Sequence, residues 1–132
     1  MPHKSDVQVV LISGGTSGIG FATAKLLLQE GWCVVINGRD EQAGQRAKMK
    51  LRRYSSKVHY IKGDVSVVSE CPRIVNETVD FYGGISALVP AQGIMKKNCC
   101  QMCLRQLLMK CLERLCKVQY FCAKQHYHIY VK

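Results

Sequence analysis

Short apolar runs alternate with longer stretches of helical periodicity through most of the chain. Residues 7–13 form an apolar, β-branched run of the kind found in buried strands. In the following segment Ile19, Leu26 and Leu27 recur at helical spacing, and Gly31 supplies a stop. The same alternation continues and predicts strands at 7–13, 32–37, 57–62 and 85–89, with helices at 18–30, 41–53 and 66–82. Strands that alternate with helices indicate an α/β fold with a parallel sheet and right-handed crossovers.

A glycine-rich turn joins the first predicted strand to the first predicted helix. It reads Ser13-Gly14-Gly15-Thr16-Ser17-Gly18-Ile19-Gly20. Glycine is needed where a chain turns sharply and where backbone must approach a pyrophosphate closely, and the free N–H groups of the next helix favour an anion. The turn therefore predicts a phosphate-binding site at the start of the first helix.

The spacing Gly14-x-x-x-Gly18-x-Gly20 resembles the Thr-Gly-x-x-x-Gly-Ile-Gly turn of the short-chain dehydrogenase/reductase family, with Ser13 in the threonine position. Three later segments, 34–39, 63–65 and 81–89, resemble that family's second strand, its Asp-Val pair beside the adenine and the run into its fourth strand. The resemblance covers residues 5–94. It implies a Rossmann-type doubly wound parallel sheet, here incomplete with about four strands, and a cofactor across the carboxyl ends of the strands.

The resemblance also implies which residues bind the cofactor. They are Gly14, Thr16, Ser17, Gly18, Ile19, Gly20, Arg39, Asp64, Val65 and Gly93. Gly38 stands where an acidic residue would select NAD, and the guanidinium of Arg39 can take a 2′-phosphate, so NADP is favoured and NAD stays open. Arg39 as a solvated turn residue is the alternative. Asp64 could also cap the third helix, which is compatible with a hydrogen bond to the adenine, and we expect Asp40 to cap the second.

The fourth strand departs from the family pattern where it ends. Pro90-Ala91-Gln92-Gly93 stands in place of Asn-Asn-Ala-Gly, so the glycine is kept and the asparagines are not. Because proline has no N–H, the local hydrogen bonding must also differ.

The composition changes abruptly after Ile94. Residues 1–94 carry eleven Lys and Arg and eight Asp and Glu, whereas residues 95–132 carry eight Lys and Arg, one acidic residue and six of the eight cysteines. The tail also has no Gly, Pro, Ser, Thr or Asp. We therefore divide the chain into a partial NAD(P)-binding domain at 1–94 and a basic, cysteine-rich tail at 95–132, expected to be helical or disordered.

Several origins of this tail are open. Its apolar stripe fits a packed helix, or a basic helix on an anionic membrane or nucleic acid. A shifted reading frame explains the composition best, since leucine codons become cysteine codons, although the Arg114/Leu115 junction cannot encode the asparagine of the family's helix. Cys100 and Cys103 with His126 and His128 suggest zinc, but the tail has no glycine to form a knuckle, and no metal is predicted.

The family's catalytic Tyr-x-x-x-Lys pair has one match, Tyr120 and Lys124. No serine or threonine precedes it in the tail and no predicted strand separates it from Gly93, so we interpret the match as accidental and assign no catalytic residue. The resemblance implies an NADP-dependent oxidoreductase of carbonyls or alcohols, similar to oxoacyl-carrier-protein reductases, here as an inactive fragment. The alternatives are a non-catalytic nucleotide-binding module whose basic tail engages an acidic partner, and a shortened enzyme that uses Tyr120 and Lys124.

Partners and location follow from the same features. The resemblance implies a small carbonyl or alcohol substrate, and we expect the family's homo-oligomer interface to be missing. No specific nucleic acid is predicted. With no long apolar run for a membrane span and no signal-peptide segment, a cytoplasmic location is expected.

Overall fold

Strands and helices alternate from residue 9 to residue 90 in the computed structural model, which describes residues 8–65, 67, 69–91, 118–121 and 128–131. The elements are β1 Val9–Ser13, α1 Gly18–Gln29, β2 Cys33–Gly38, α2 Glu41–Leu51, β3 Val58–Lys62, α3 Glu70–Tyr82, β4 Ala87–Pro90, β5 Val118–Phe121 and β6 His128–Val131. The first seven match the elements predicted from hydrophobic periodicity to within four residues at each end.

The strands form one sheet in the order β3-β2-β1-β4-β5-β6. Strands β1 to β5 pair in parallel with their neighbours, and β6 runs antiparallel to β5. The chain moves outwards from β1 through β2 to β3, then crosses back to place β4 on the other side of β1. This reversal is the switch point beside which doubly wound folds bind their ligands, and the four parallel strands predicted from the sequence are confirmed.

Both faces of the sheet are covered by helices. One core cluster contains Val10, Ile12, Val34 and Ile36 with residues of α1 and α2. The other contains Leu11, Val35 and Leu88 with α3. Because alternate side chains of each strand enter opposite clusters, β1 and β2 are buried along their whole length, which is why they read as continuous apolar runs.

The helix ends confirm two predictions and correct one. Gly31, with φ 91°, follows α1, and its N–H donates to the Leu28 carbonyl while that of Trp32 donates to Leu27, a complete Schellman turn. The Asp40 carboxylate caps α2, accepting from the N–H groups of Gln42 and Ala43 at 2.9 and 3.3 Å. Asp64 does not cap α3, because that helix begins at Glu70 after the N-cap residue Ser69.

Part of the tail adopts a structure that the sequence did not predict. Residues 118–121 lie beside β4 and residues 128–131 lie beside them, so these two segments are strands and not the helix or disordered chain that we expected. Valine, isoleucine, tyrosine and phenylalanine predominate in both segments, and such residues favour strands at an open sheet edge. The other tail residues lie outside the described part of the chain. No helix among the described residues is long and apolar enough to cross a membrane.

Candidate cofactor site

The glycine-rich turn lies at the carboxyl edge of the sheet and is anchored on β2. The N–H groups of Gly14 and Gly15 donate to the carbonyl oxygen of Asn37 at 2.9 and 3.2 Å. Gly14 and Gly18 both have positive φ, 75° and 59°, which only glycine adopts without strain. The turn is therefore held in one conformation by its glycines and by β2.

Two other glycines of the turn are required for close packing. A Cβ atom on Gly20 would lie 2.3 Å from the carbonyl oxygen of Gly14, so the first turn of α1 presses directly on the loop. A Cβ atom on Gly15 would lie 2.6 Å from Cγ2 of Ile36. These contacts bring the amino end of α1 against the sheet edge, where a pyrophosphate would lie.

The amino end of α1 is open to a ligand. Its N-cap residue Ser17 makes no side-chain capping bond, so the first N–H groups of the helix receive no cap from that side chain. Ser17, Gly18 and Ile19 are exposed, and a Cβ atom on Gly18 would meet nothing within 4 Å. Uncapped N–H groups in open space, at the positive end of a helix dipole, suit the phosphates of a dinucleotide.

The end of β2 lies against the same turn. Gly38 is buried, and a Cβ atom there would lie 2.9 Å from Cγ2 of Thr16. The next residue, Arg39, is exposed. The structure thus brings the predicted residues Thr16 and Arg39 close to Gly38, at the carboxyl end of β2.

Asn37 connects three segments of the site, a role that sequence reasoning missed. Its side chain is fully buried, and Nδ2 donates to the carbonyls of Ile61 and Gly63 at 2.9 and 3.2 Å. Its own carbonyl holds the glycine turn. Its Oδ1, like the Oγ of Ser13, is buried without a hydrogen-bond partner among the described residues. A buried asparagine in an otherwise apolar strand was the available sequence signal.

Tyr60 supports the segment that carries Arg39. Its hydroxyl lies 3.0 Å from the carbonyl oxygens of both Gly38 and Asp40 and can donate its proton to either. Burial raises the pKa of this phenol, and the charges of Glu41 and Asp40 raise it further. The ring fits only because α2 has a glycine opposite it, Gly44, whose Cβ atom would lie 2.0 Å from Tyr60 Cζ.

The remaining predicted cofactor residues follow β3 and β4. Val65 is buried in the core beneath α3, and the carbonyl of Asp64 accepts from the N–H of Val67 at 3.0 Å. Pro90 stays in register with Ser13, and the Ala91 N–H donates to the Ser13 carbonyl at 2.8 Å, so β4 remains paired despite the missing proline N–H. Gly93 lies outside the described residues.

Tyr120 lies in β5, paired with Leu88 of β4, and Lys124 lies outside the described residues. The six tail cysteines, with His126, also lie outside them. Within the described residues no group of three or more His, Cys, Asp or Glu side chains could hold a metal ion.

Comparison of the sequence with known proteins identifies one family of oxidoreductases. The sequence profile of the short chain dehydrogenase family matches residues 8–125. An uncharacterized oxidoreductase of Thermotoga maritima is 36% identical over 88 residues, covering 67% of this chain and 34% of that protein. The tropinone reductase-like 2 protein of Erythroxylum coca is 38% identical over 96 residues, covering 72% of this chain and 34% of the relative.

Solved structures agree on the fold. A crystal structure of actinorhodin polyketide ketoreductase with NADPH superposes with a TM-score of 0.74 at 24% identity, covering 86% of this chain and 49% of that one. The chain spans about a third of the length of the two curated relatives described above. With the glycine turn, the strand order and the profile match in agreement, the chain belongs to the short-chain dehydrogenase family.

Proposed function

We propose that this chain is the nucleotide-binding part of an NADP-preferring short-chain oxidoreductase that acts on a carbonyl or alcohol, similar to the oxoacyl-carrier-protein reductases. The observation that carries the NADP preference is the end of β2, where buried Gly38 leaves no space for a side chain beside Thr16 and exposed Arg39 follows. An acidic residue there would accept from both ribose hydroxyls and repel a phosphate. The guanidinium instead offers paired donors to a 2′-phosphate.

Different residues of the site would bind different parts of the cofactor. The uncapped first turn of α1 would hold the pyrophosphate, and Arg39 would hold the ribose phosphate. Asn37 joins the glycine turn to the end of β2, since its carbonyl oxygen accepts from the N–H groups of Gly14 and Gly15. Tyr60 supports the segment that carries Arg39 through its hydroxyl contact with the Gly38 carbonyl. When bound, NADPH supplies the hydride for carbonyl reduction.

We further propose that the 132-residue chain binds this cofactor without turnover. In the family a tyrosine, with its pKa lowered by a nearby lysine, passes a proton to the substrate oxygen. The tyrosine of the one Tyr-x-x-x-Lys match lies in β5, whose backbone is paired with β4. No serine precedes Tyr120 in the tail to complete the group.

The cofactor preference is tested by titrating the chain with NADPH and with NADH and following nucleotide fluorescence. We expect Arg39→Gln to weaken NADPH binding about tenfold, since a charge-assisted contact to phosphate is lost, and to leave NADH nearly unchanged. Arg52→Gln, which removes an exposed arginine at the other end of α2, is the matched control. Equal or tighter binding of NADH by the unaltered chain would overturn the NADP preference.

Turnover is tested by NADPH oxidation against a panel of ketones and oxoacyl thioesters. We expect no reaction above background for the 132-residue chain. Activity that disappears in Tyr120→Phe would refute the inactive-fragment proposal and establish Tyr120 as the proton donor of a shortened enzyme.

The second candidate is a non-catalytic nucleotide-binding module whose tail engages an acidic partner. The observation that favours it is the charge of residues 95–132, which hold eight Lys and Arg against one acidic residue. It predicts binding to a polyanion such as heparin that weakens steeply with salt, because each neutralised charge releases a counterion. Elution from heparin at low salt would argue against it.

A further inference from the structure

A cavity of about 300 Å³ opens beside the glycine turn, between α1 and α2. Thr16, Ser17 and Gly18 of the turn line it, together with Phe21 of α1. Helix α2 also lines it and contributes two cations, Arg46 and Lys50. The first four residues border the predicted phosphate site, whereas the two cations belong to no motif noted in the sequence.

The charge on the α2 side of this cavity is not balanced. Arg46 and Lys50 are four residues apart on one helical face, where like charges repel each other. Both are exposed, and neither belongs to an ion pair among the described residues. The acidic residue of that helix, Glu41, lies 4.0 Å from Lys62. Two cations without an ion-pair partner among the described residues share this cavity with two hydroxyl residues and a helix amino end, a combination that suits a phosphate monoester.

The cavity begins where the cofactor ribose would lie. Thr16 both lines the cavity and lies against Gly38, where an added Cβ atom would be 2.9 Å from Thr16 Cγ2. Arg39, the residue expected to hold the 2′-phosphate, follows Gly38 directly. A phosphate on the ribose 2′-oxygen that is held by Arg39 would therefore be close to this cavity and to the cations of α2.

We propose that Arg46, with Lys50 one turn behind it, binds the 2′-phosphate of the cofactor and is a second determinant of its specificity besides Arg39. This inference rests on the proposed function, because it assumes that the nucleotide lies along the glycine turn. The preference for NADP then arises from α2 as well as from the end of β2.

The test compares binding of 2′,5′-ADP, ADP and inorganic phosphate to the full chain by isothermal titration calorimetry. These probes separate the ribose phosphate from the rest of the nucleotide and from a free anion, and they need no turnover. We expect Arg46→Gln to weaken 2′,5′-ADP about tenfold and ADP less than twofold, since one charged contact to the phosphate is lost. Arg46→Lys should recover part of this loss.

Lys48→Gln is the matched control. It removes the same charge from the same helix, but Lys48 does not line the cavity and instead contributes to the charge felt by His59. Melting temperatures show whether each variant is folded. If Arg46→Gln does not fold, the same titrations are made with Lys50→Gln, which removes the other cation of the cavity. We expect Lys48→Gln to leave the 2′,5′-ADP affinity unchanged.

Three results would overturn the inference. If 2′,5′-ADP still binds more tightly than ADP and Arg46→Gln has no effect, the proposed function stands and Arg46 has no part in it. If inorganic phosphate binds as tightly as 2′,5′-ADP and is lost equally in Arg46→Gln, the cavity is a free-anion site. If neither nucleotide binds the unaltered chain, both the inference and the proposed function fail.

Discussion

Each glycine of the turn is required for its own physical reason. Gly14 and Gly18 adopt positive φ, while Gly15 and Gly20 leave no space for a side chain. Local rules are sufficient to predict such a turn, because its conformation depends on neighbours in sequence. Asn37 and Tyr60 could not be assigned in this way, since their hydrogen bonds reach 20 to 26 residues along the chain.

Gly20→Ala tests the packing of α1 on the turn. The added methyl group would lie 2.3 Å from the Gly14 carbonyl oxygen, so the helix must move away from the loop. We expect the free energy of unfolding to fall by about 1–3 kcal/mol, as in other overpacked sites, and NADPH binding to weaken. Urea denaturation measures the first effect and fluorescence titration the second. Gln29→Ala, at the exposed end of the same helix, should change neither, and an unaltered NADPH affinity in Gly20→Ala would contradict this reading of the turn.

At the level of elements, hydrophobic periodicity was sufficient to predict all seven helices and strands between residues 9 and 90. Their boundaries depend on capping residues that act locally, and Asp40 is the clearest of these. The start of α3 was placed at residue 66 and is found at Glu70. The stretch before α3 includes a turn in which the Val67 N–H bonds to the Asp64 carbonyl, and its apolar residues imitate helical spacing.

Removal of the Asp40 carboxylate should destabilise α2 and the segment that carries Arg39 in front of it. We expect Asp40→Ala to lower the free energy of unfolding by about 1 kcal/mol, since two N–H groups lose their acceptor. Asp40→Asn keeps an acceptor oxygen and should retain most of that stability. Urea denaturation distinguishes the two variants, and equal losses in both would mean that the cap bond is not the source of the effect.

The end of α3 gives a prediction for alkaline pH. Burial raises the pKa of Tyr82 to about 12 from the ordinary 10.0, with a smaller contribution from Cys33. The raised pKa favours the neutral phenol in the folded chain. The contribution of Tyr82 to the free energy of unfolding is therefore complete below pH 10 and is lost between pH 10 and about pH 12. In urea titrations across this window, Tyr82→Phe should lose stability less steeply than the unaltered chain. The exposed Tyr54→Phe is the control, and identical slopes for all three proteins would refute the prediction.

Taken as a whole molecule, the chain joins a Rossmann-type half-sheet to a segment of different composition. Strands β1 and β2 follow from the sequence because they are buried on both faces and are therefore continuously apolar. The addition of β5 and β6 could not be predicted, since it depends on backbone pairing with a distant edge and on no periodic pattern. The family profile extends to residue 125, while the two relatives described above match 88 and 96 residues. These matches do not test the reading frame of the tail. An out-of-frame tail therefore stays a prediction, to be checked by sequencing the encoding DNA.

The proposed nucleotide site and its preference for NADP are tested most directly by amide hydrogen exchange with and without cofactor. This measurement shows both whether a nucleotide binds and where it binds. We predict that NADPH slows exchange in peptides covering residues 13–20 and 38–50, and that NADH at the same concentration slows the first region and has less effect on the second. Protection by NADPH that is absent from both regions, or equal protection of residues 38–50 by NADH, would contradict a nucleotide site built on the glycine turn with a preference for NADP.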